Sequence, residues 1–160
     1  MIPVRAPSLE DKDEWLRMRR VLWPDCPDMD HHAKIDLFLR RDRDMPPASC
    51  GFSMADIATF VAEREGGGLC GFVEASIRPY AEGIEPQPVG YVEGWYVDPD
   101  VRRRGIGRAL VEAAEAWARS EGCRQMASDA LFDNGVSVES HARLGYREVV
   151  RLVHFAKDLG

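Results

Sequence analysis

A chain of 160 residues, 45% hydrophobic and 30% charged, is long enough for one domain with its own core. Its net charge of −6 argues against a general nucleic-acid binder and mildly favours a cationic partner. No apolar run reaches the length of a membrane span, the opening Met-Ile-Pro-Val-Arg-Ala lacks a secretion signal, and the four scattered cysteines form no Cys-x-x-Cys pair; this reads as a cytoplasmic protein with reduced thiols and no metal site.

Taken in chain order, residues 3–6 read as a short first strand. Ser8 then caps a helix, with Glu10 and Asp11 in its first turn and Trp15, Met18 and Leu22 along one face. Trp23-Pro24 ends it, because the residue before proline is pushed out of helical backbone. A second helix is predicted over 30–43, with Ile35, Phe38 and Leu39 on its buried side, and 44–53 is an irregular excursion. Strands over 58–64 and 69–77 flank Gly66-Gly67-Gly68, which reads as a hairpin. A proline-rich loop over 79–88 leads to a third strand over 90–97. The helix over 105–121 turns Ile106, Leu110, Ala113, Ala114 and Trp117 inward, and Gly122 stops it. A strand over 125–129, a short helix over 136–144 and a last apolar strand over 148–156 complete the set. The sum is an α+β fold in one domain over 1–160, a mostly antiparallel sheet with helices packed on it.

The most informative stretch runs from Val97 to Leu110, Val-Asp-Pro-Asp-Val-Arg-Arg-Arg-Gly-Ile-Gly-Arg-Ala-Leu. Arg102, Gly105 and Gly107 let successive backbone N–H groups converge, and the helix aims its positive end at the same point. Arg102, Arg103, Arg104 and Arg108 add positive charge where cations oppose the helix dipole unless an anion is bound. Such a place takes a phosphate or pyrophosphate. The stretch lacks the third glycine of the dinucleotide fingerprint and the Gly-Lys-Ser/Thr of a nucleoside triphosphate loop. Its bland alternative is a glycine-softened link between strand and helix.

The pattern Arg102-x-x-Gly105-x-Gly107, with Asn134 and Leu144-Gly145-Tyr146 following, resembles the GCN5-related N-acetyltransferases (GNAT). The resemblance implies acetyl-CoA as co-substrate and the acyl-CoA acyltransferase fold, whose sheet is opened by a splayed parallel strand pair with helices on both faces. It implies a backbone N–H polarising the thioester from a bulge in Trp95-Tyr96-Val97. Contacts to acetyl-CoA fall on Trp95, Tyr96, Val97, Arg102, Arg103, Arg104, Gly105, Ile106, Gly107, Arg108 and Asn134. Further runs, Leu22-Trp23-Pro24, Glu74-Ala-Ser-Ile-Arg78, Glu93-Gly94 and Met126-Ala-Ser-Asp129, resemble the aminoglycoside 6′-N-acetyltransferases of this superfamily. By matching position, Trp23, Tyr80, Glu93 and Asp129 line the acceptor site. Family members often form dimers, so the resemblance implies a homodimer that meets acetyl-CoA and a cationic small amine.

The chemistry is consistent with those positions. A polycation calls for carboxylates and aromatic faces. Asp129, ending a core strand, would hold the acceptor ammonium and take its proton; its alternative is a strand-end turn residue. Glu93 has the alternative of a solvent-facing strand position. Trp95 and Tyr96 also read as ordinary sheet packing, and Asn134-Gly135 as a turn and helix cap. Position 141 is histidine where the superfamily often has an acidic tyrosine, which makes His141 a candidate acid for the leaving thiolate or a plain helix-surface residue. Cys26 and Val150 stand where the resembling subgroup has histidine and glutamate, and 41–52 is longer than usual. Three readings follow: an aminoglycoside acetyltransferase, an acetyltransferase for another small or protein-borne amine, or a non-catalytic acetyl-CoA-binding module.

Overall fold

Alternation along the strands sorts the side chains into two layers. The computed structural model describes residues 2–39, 56–85 and 87–160. Its elements are β1 (Val4–Arg5), α1 (Lys12–Leu22), α2 (Asp28–Leu39), β2 (Ile57–Glu63), β3 (Leu69–Arg78), β4 (Val89–Val97), α3 (Ile106–Ser120), β5 (Met126–Ser128) and α4 (Gly135–Arg143). Val61, Phe72 and Tyr96 point to one face and pack with Trp15, Leu16 and Met18 of α1 and Ile35 of α2. Their neighbours Ala62, Val73 and Trp95 point to the other, against Ile106, Leu110 and Ala114 of α3. Period-two alternation thus gives each sheet face its own helical cover.

The strands lie in the order β1-β2-β3-β4-β5. All neighbours are antiparallel except β4 and β5, which run parallel through Gly90↔Met126, Tyr91↔Ala127 and Val92↔Ser128. That pairing stops where β5 ends, while β4 continues to Val97. On its other side β4 pairs Gly94 with Glu74 and Val92 with Ala75, so Glu93 is the extra, bulged residue. The bulge therefore precedes Trp95-Tyr96-Val97, where the sequence reading had placed it. Its position is set by cross-strand register, which local alternation does not encode.

Two helix starts carry their own explanation. Ser8 heads a short 3-10 turn, Leu9–Asp11, before α1, and Asp11 accepts the Ser8 backbone N–H at 2.6 Å. Asp11 also takes the Arg5 guanidinium at 2.6 and 3.0 Å, which ties α1 to the edge of the sheet. Gly105 precedes α3 with φ 86°, a left-handed conformation open to glycine. On α3 the buried side chains are Ile106, Leu110, Val111, Ala114 and Ala118, while Ala113 and Trp117 are half-buried. The expected strand over 148–156 is absent, and residues 147–160 form no regular element. Val153 and Phe155 stand 77% and 93% exposed, so the apolar pattern is present without a neighbouring strand to close its ladder. The second helix begins at Asp28 and is described to Leu39; residues 40–43 and the excursion over 44–53 lie outside the described residues.

Candidate active site

Where β4 and β5 part, the start of α3 faces the opening. No side chain caps α3, so its first N–H groups retain their donor capacity. Arg103 adopts φ 61° and Gly105 φ 86°, which folds the loop back on itself. Arg102, Arg103, Arg104 and Arg108 are all exposed around it. Arg102 Nε donates to the Val97 carbonyl at 2.9 Å, and Arg108 Nη2 donates to the Arg143 carbonyl at 2.9 Å, which ties α3 to the end of α4. Behind the loop, Arg17 and Arg64 clamp the buried carboxylate of Asp98 at 2.8–2.9 Å and fix the end of β4. Ile106 is buried, so it presents only backbone to the loop.

Gly107 lies against the Trp95 ring, and a Cβ there would come within 2.6 Å of it. The Trp95 indole N–H is buried and has no hydrogen-bond partner among the described residues. An uncapped helix start, four guanidinium groups and an unpartnered indole donor beside them fit an extended ligand with a diphosphate. Tyr96 points the other way, into the α1 face beside Phe72, with ring centroids 6.2 Å apart. Its contact to a ligand in the opening is limited to backbone. Val97 is half-buried on the α3 face.

Of the residues expected on the acceptor side, Trp23 and Glu93 meet at the bulge. Trp23, at the end of α1, lays its ring over Gly94, where a Cβ would overlap it. Glu93 is half-buried and already paired, since Arg78 donates to its two oxygens at 3.0 and 2.6 Å and Ser76 Oγ donates to one of them. The same Arg78 guanidinium stacks 3.4 Å from the centre of the Tyr91 ring. Burial, with the Asp129 charge second, pushes the Tyr91 hydroxyl up to about 12, and the register Tyr91↔Ala127 and Val92↔Ser128 brings Asp129 past the end of β5 beside Glu93. Asp129 itself is exposed, one residue past β5, and Tyr80 is 59% exposed on the loop after β3. Arg78, paired with Glu93 and stacked on Tyr91, is a residue of this region that the sequence reading did not single out. Its signal was present in Glu74-Ala-Ser-Ile-Arg78, but the pairing with Glu93 spans two strands.

His141, half-buried on α4, sits beside the same opening. Its Nδ1 meets the Ser137 carbonyl at 2.7 Å, and its Nε2 meets Ser128 Oγ at 2.9 Å. A carbonyl only accepts, so Nδ1 carries the hydrogen and Nε2 of the neutral ring accepts from the serine hydroxyl. The ring stands edge-on to Trp95 and to Tyr146 at 5.7 and 5.6 Å. Tyr146 donates to Glu115 at 3.1 Å, and burial raises its hydroxyl pKa above the ordinary tyrosine value. Asn134 is the N-cap of α4, its side-chain oxygen accepting from the Ser137 N–H at 3.1 Å. That bond realises the capping alternative and leaves the amide NH2 group facing outward on an exposed residue. No group of three or more His, Cys, Asp or Glu side chains among the described residues is arranged to hold a metal.

A parallel strand pair that splays beside an arginine-lined helix start defines an acyl-CoA-dependent transferase. The model of the acetyltransferase (GNAT) family matches residues 15–146, and the chain belongs to that family. It is 40% identical to an aminoglycoside N(6′)-acetyltransferase type 1 of Klebsiella aerogenes, over 98% of this chain and 96% of the relative. A protein of the same name from Stenotrophomonas maltophilia is 35% identical over 98% and 93%. Among solved structures, AAC(6′)-Iy in complex with the bisubstrate analogue CoA-S-monomethyl-acetylneamine superposes with a TM-score of 0.84 at 32% identity, covering 99% of both chains. AAC(6′)-Ih from Acinetobacter baumannii gives 0.82 at 31% identity, covering 100% of both.

Proposed function

We propose that this protein is an aminoglycoside 6′-N-acetyltransferase in which the drug's 6′-amine attacks acetyl-CoA directly. The observation that carries the reading is a juxtaposition. Asp129 follows the last β4–β5 pair, Val92↔Ser128, beside the bulged Glu93, and Trp23 covers the neighbouring Gly94, while the next side chain of β4, Trp95, packs under Gly107 at the start of α3. The names of the relatives and the analogue bound to AAC(6′)-Iy support the same acceptor.

Acetyl-CoA supplies a thioester-activated acyl group when bound. Its diphosphate is held by the N–H groups that start α3 and by Arg102, Arg103, Arg104 and Arg108; Trp95, Val97 and Asn134 line the way to the splay. Glu93 and Trp23 orient the cationic sugar ring. Asp129 holds the 6′-ammonium and takes its proton at a carboxylate oxygen, which frees the amine lone pair. Beyond Val92, β4 runs without β5, so its backbone N–H groups there are available to the acyl oxygen. In its imidazolium form His141 carries a hydrogen on Nε2 as well as on Nδ1, with Ser128 Oγ then accepting from Nε2, and that Nε2 hydrogen is the one it gives to the departing sulfur.

The same reading includes a cytoplasmic homodimer. Among the described residues Cys26, Cys70 and Cys123 are free thiols. No helix among them is long and apolar enough to cross a membrane. The exposed apolar side chains beyond Val149 are the surface that a second copy would cover.

The decisive experiment is thiol release from acetyl-CoA with kanamycin, tobramycin, an analogue carrying a 6′-hydroxyl, spermidine and a lysine peptide as acceptors. Turnover is expected only with the free 6′-amines. Robust turnover of spermidine or peptide, with none on any 6′-amino drug, overturns the aminoglycoside assignment.

A further inference from the structure

One buried ionic cluster takes no part in the chemistry above. It lies on the sheet face covered by α1 and α2, where Arg19 and Glu74 are each 4% exposed and His31 is 1% exposed. Arg19 Nη1 donates to Glu74 Oε1, and the Trp15 indole N–H donates to the same oxygen at 3.0 Å. Arg19 Nε donates to His31 Nδ1 at 3.3 Å, while His31 Nε2 has no partner among the described residues. Burial raises the Glu74 pKa, and Arg19 opposes that rise. A buried pair of this kind is poor value as a fold stabiliser, because well-packed apolar side chains of similar volume hold a core as firmly.

The other face of Arg19 shows a use. Its guanidinium carbon lies 4.6 Å from the centre of the Trp23 ring, within cation–π range. That ring also packs against Phe72, 6.0 Å between centroids, and fills the space that a side chain at position 94 would need. Gly94 is cross-strand from Glu74 and follows the bulged Glu93. The carboxylate that anchors Arg19 and the backbone that receives Trp23 therefore belong to one register pair. A planar guanidinium serves Glu74, His31 and Trp23 at once, a geometry the point charge of lysine does not reproduce.

We infer that Arg19, held by Glu74 and His31, is a positioning residue that fixes the Trp23 ring on the Glu93–Gly94 bulge and so sets the floor of the acceptor site. The inference deepens the acceptor role proposed above for Trp23. It separates placement of the ring from stability of the fold, and the two make different forecasts.

The test compares wild type with R19M/E74Q, which removes both buried charges and leaves none unpaired, and with R19K, which keeps the charge without the plane. Each is made with and without W23F. Three quantities are read: the melting temperature, the Trp23 indole N–H resonance of 15N-labelled protein assigned by its loss in W23F, and KM and kcat with tobramycin. R19M/E74Q is expected to melt close to wild type yet to shift the Trp23 resonance. It should raise the tobramycin KM about tenfold, the scale of a lost partly buried cation–π contact, with kcat and the acetyl-CoA KM nearly unchanged. In the W23F background the same pair should change KM less than about twofold, since residues that act through one another are not additive. R19K should move the resonance and KM in the same direction, which keeps the test open if the double variant does not fold. An unmoved Trp23 resonance, or an equal KM factor with and without Trp23, overturns the inference. Should wild type acetylate no aminoglycoside, the acceptor reading fails on its own, while the resonance of the free protein still decides whether Arg19 places the ring.

Discussion

Gly107 shows how much depends on one missing side chain. A methyl group there would come within 2.6 Å of the Trp95 ring, which lies beside the helix start proposed to hold the diphosphate. Gly107→Ala should push Trp95 out of place and weaken acetyl-CoA at least about tenfold, read as a smaller rise of melting temperature per decade of acetyl-CoA. An undiminished rise would detach Gly107 from the cradle. Asp129→Asn keeps shape and removes the proposed proton acceptor. Turnover of tobramycin should fall about 100-fold or more while protection by acetyl-CoA persists, and a loss of only a few-fold would return Asp129 to a turn role. At this scale the sequence exposed what is local. The tight turn and arginine cluster at the start of α3 were legible because glycine and arginine act through their own backbone and charge within a few residues of one another. The Arg78–Glu93 and His141–Ser128 contacts were not, since they form only when register brings distant segments together. For Asn134 the sequence offers a cofactor contact and a helix cap, and the structure displays the cap.

The start of α1 illustrates the element scale. Asp11 joins three jobs: it closes the Ser8 turn, heads α1 and neutralises Arg5 of β1. The Arg5 hydrogen bonds lower its pKa from the ordinary 3.8 to about 2. A carboxylate depressed on folding contributes stability above its unfolded pKa and loses it as pH falls through the folded value. The gain is therefore complete above about pH 5 and fades toward pH 2. Arg5 is half-exposed to solvent, which reduces the worth of the pair to about 1–2 kcal/mol. Asp11→Asn should lower the melting temperature by about 4 °C at pH 7, and the gap to wild type should shrink steadily below pH 4. A gap independent of pH would show that shape, not charge, is what Asp11 supplies. Element types along 3–39 and 57–143 were readable from periodicity and punctuation. The bulge at Glu93 was misplaced, and the strand over 148–156 was expected where none forms. Both failures have one cause: alternation reports which side chains are apolar, whereas a bulge or a strand is defined by the partner across the ladder.

Whole-molecule properties concern partners. A net charge of −6 and the acceptor carboxylates favour a polycation, so the tobramycin KM should rise with ionic strength as screening shortens the reach of that field. The remaining feature at this scale is apolar. Leu152, Val153, Phe155 and Leu159 stand 54%, 77%, 93% and 91% exposed along one terminal segment, and Leu131 and Phe132 add 76% and 77% near the acceptor side. Scattered exposed hydrophobics are ordinary, but four within the eight residues 152–159 are what the proposed homodimer would cover. A stable interface buries about 1,600 Å2 in total, which these side chains can seed when a second copy covers them. Sedimentation equilibrium at micromolar concentration should therefore return about twice the chain mass for wild type. Val153→Glu with Phe155→Glu should return the monomer mass, because two buried carboxylates without partners cost more than the interface gains. The doubly substituted chain should keep its acetyl-CoA protection, since the cradle lies on α3. A wild type that sediments as a monomer, or a substituted chain that remains a dimer, would assign this apolar segment some other cover.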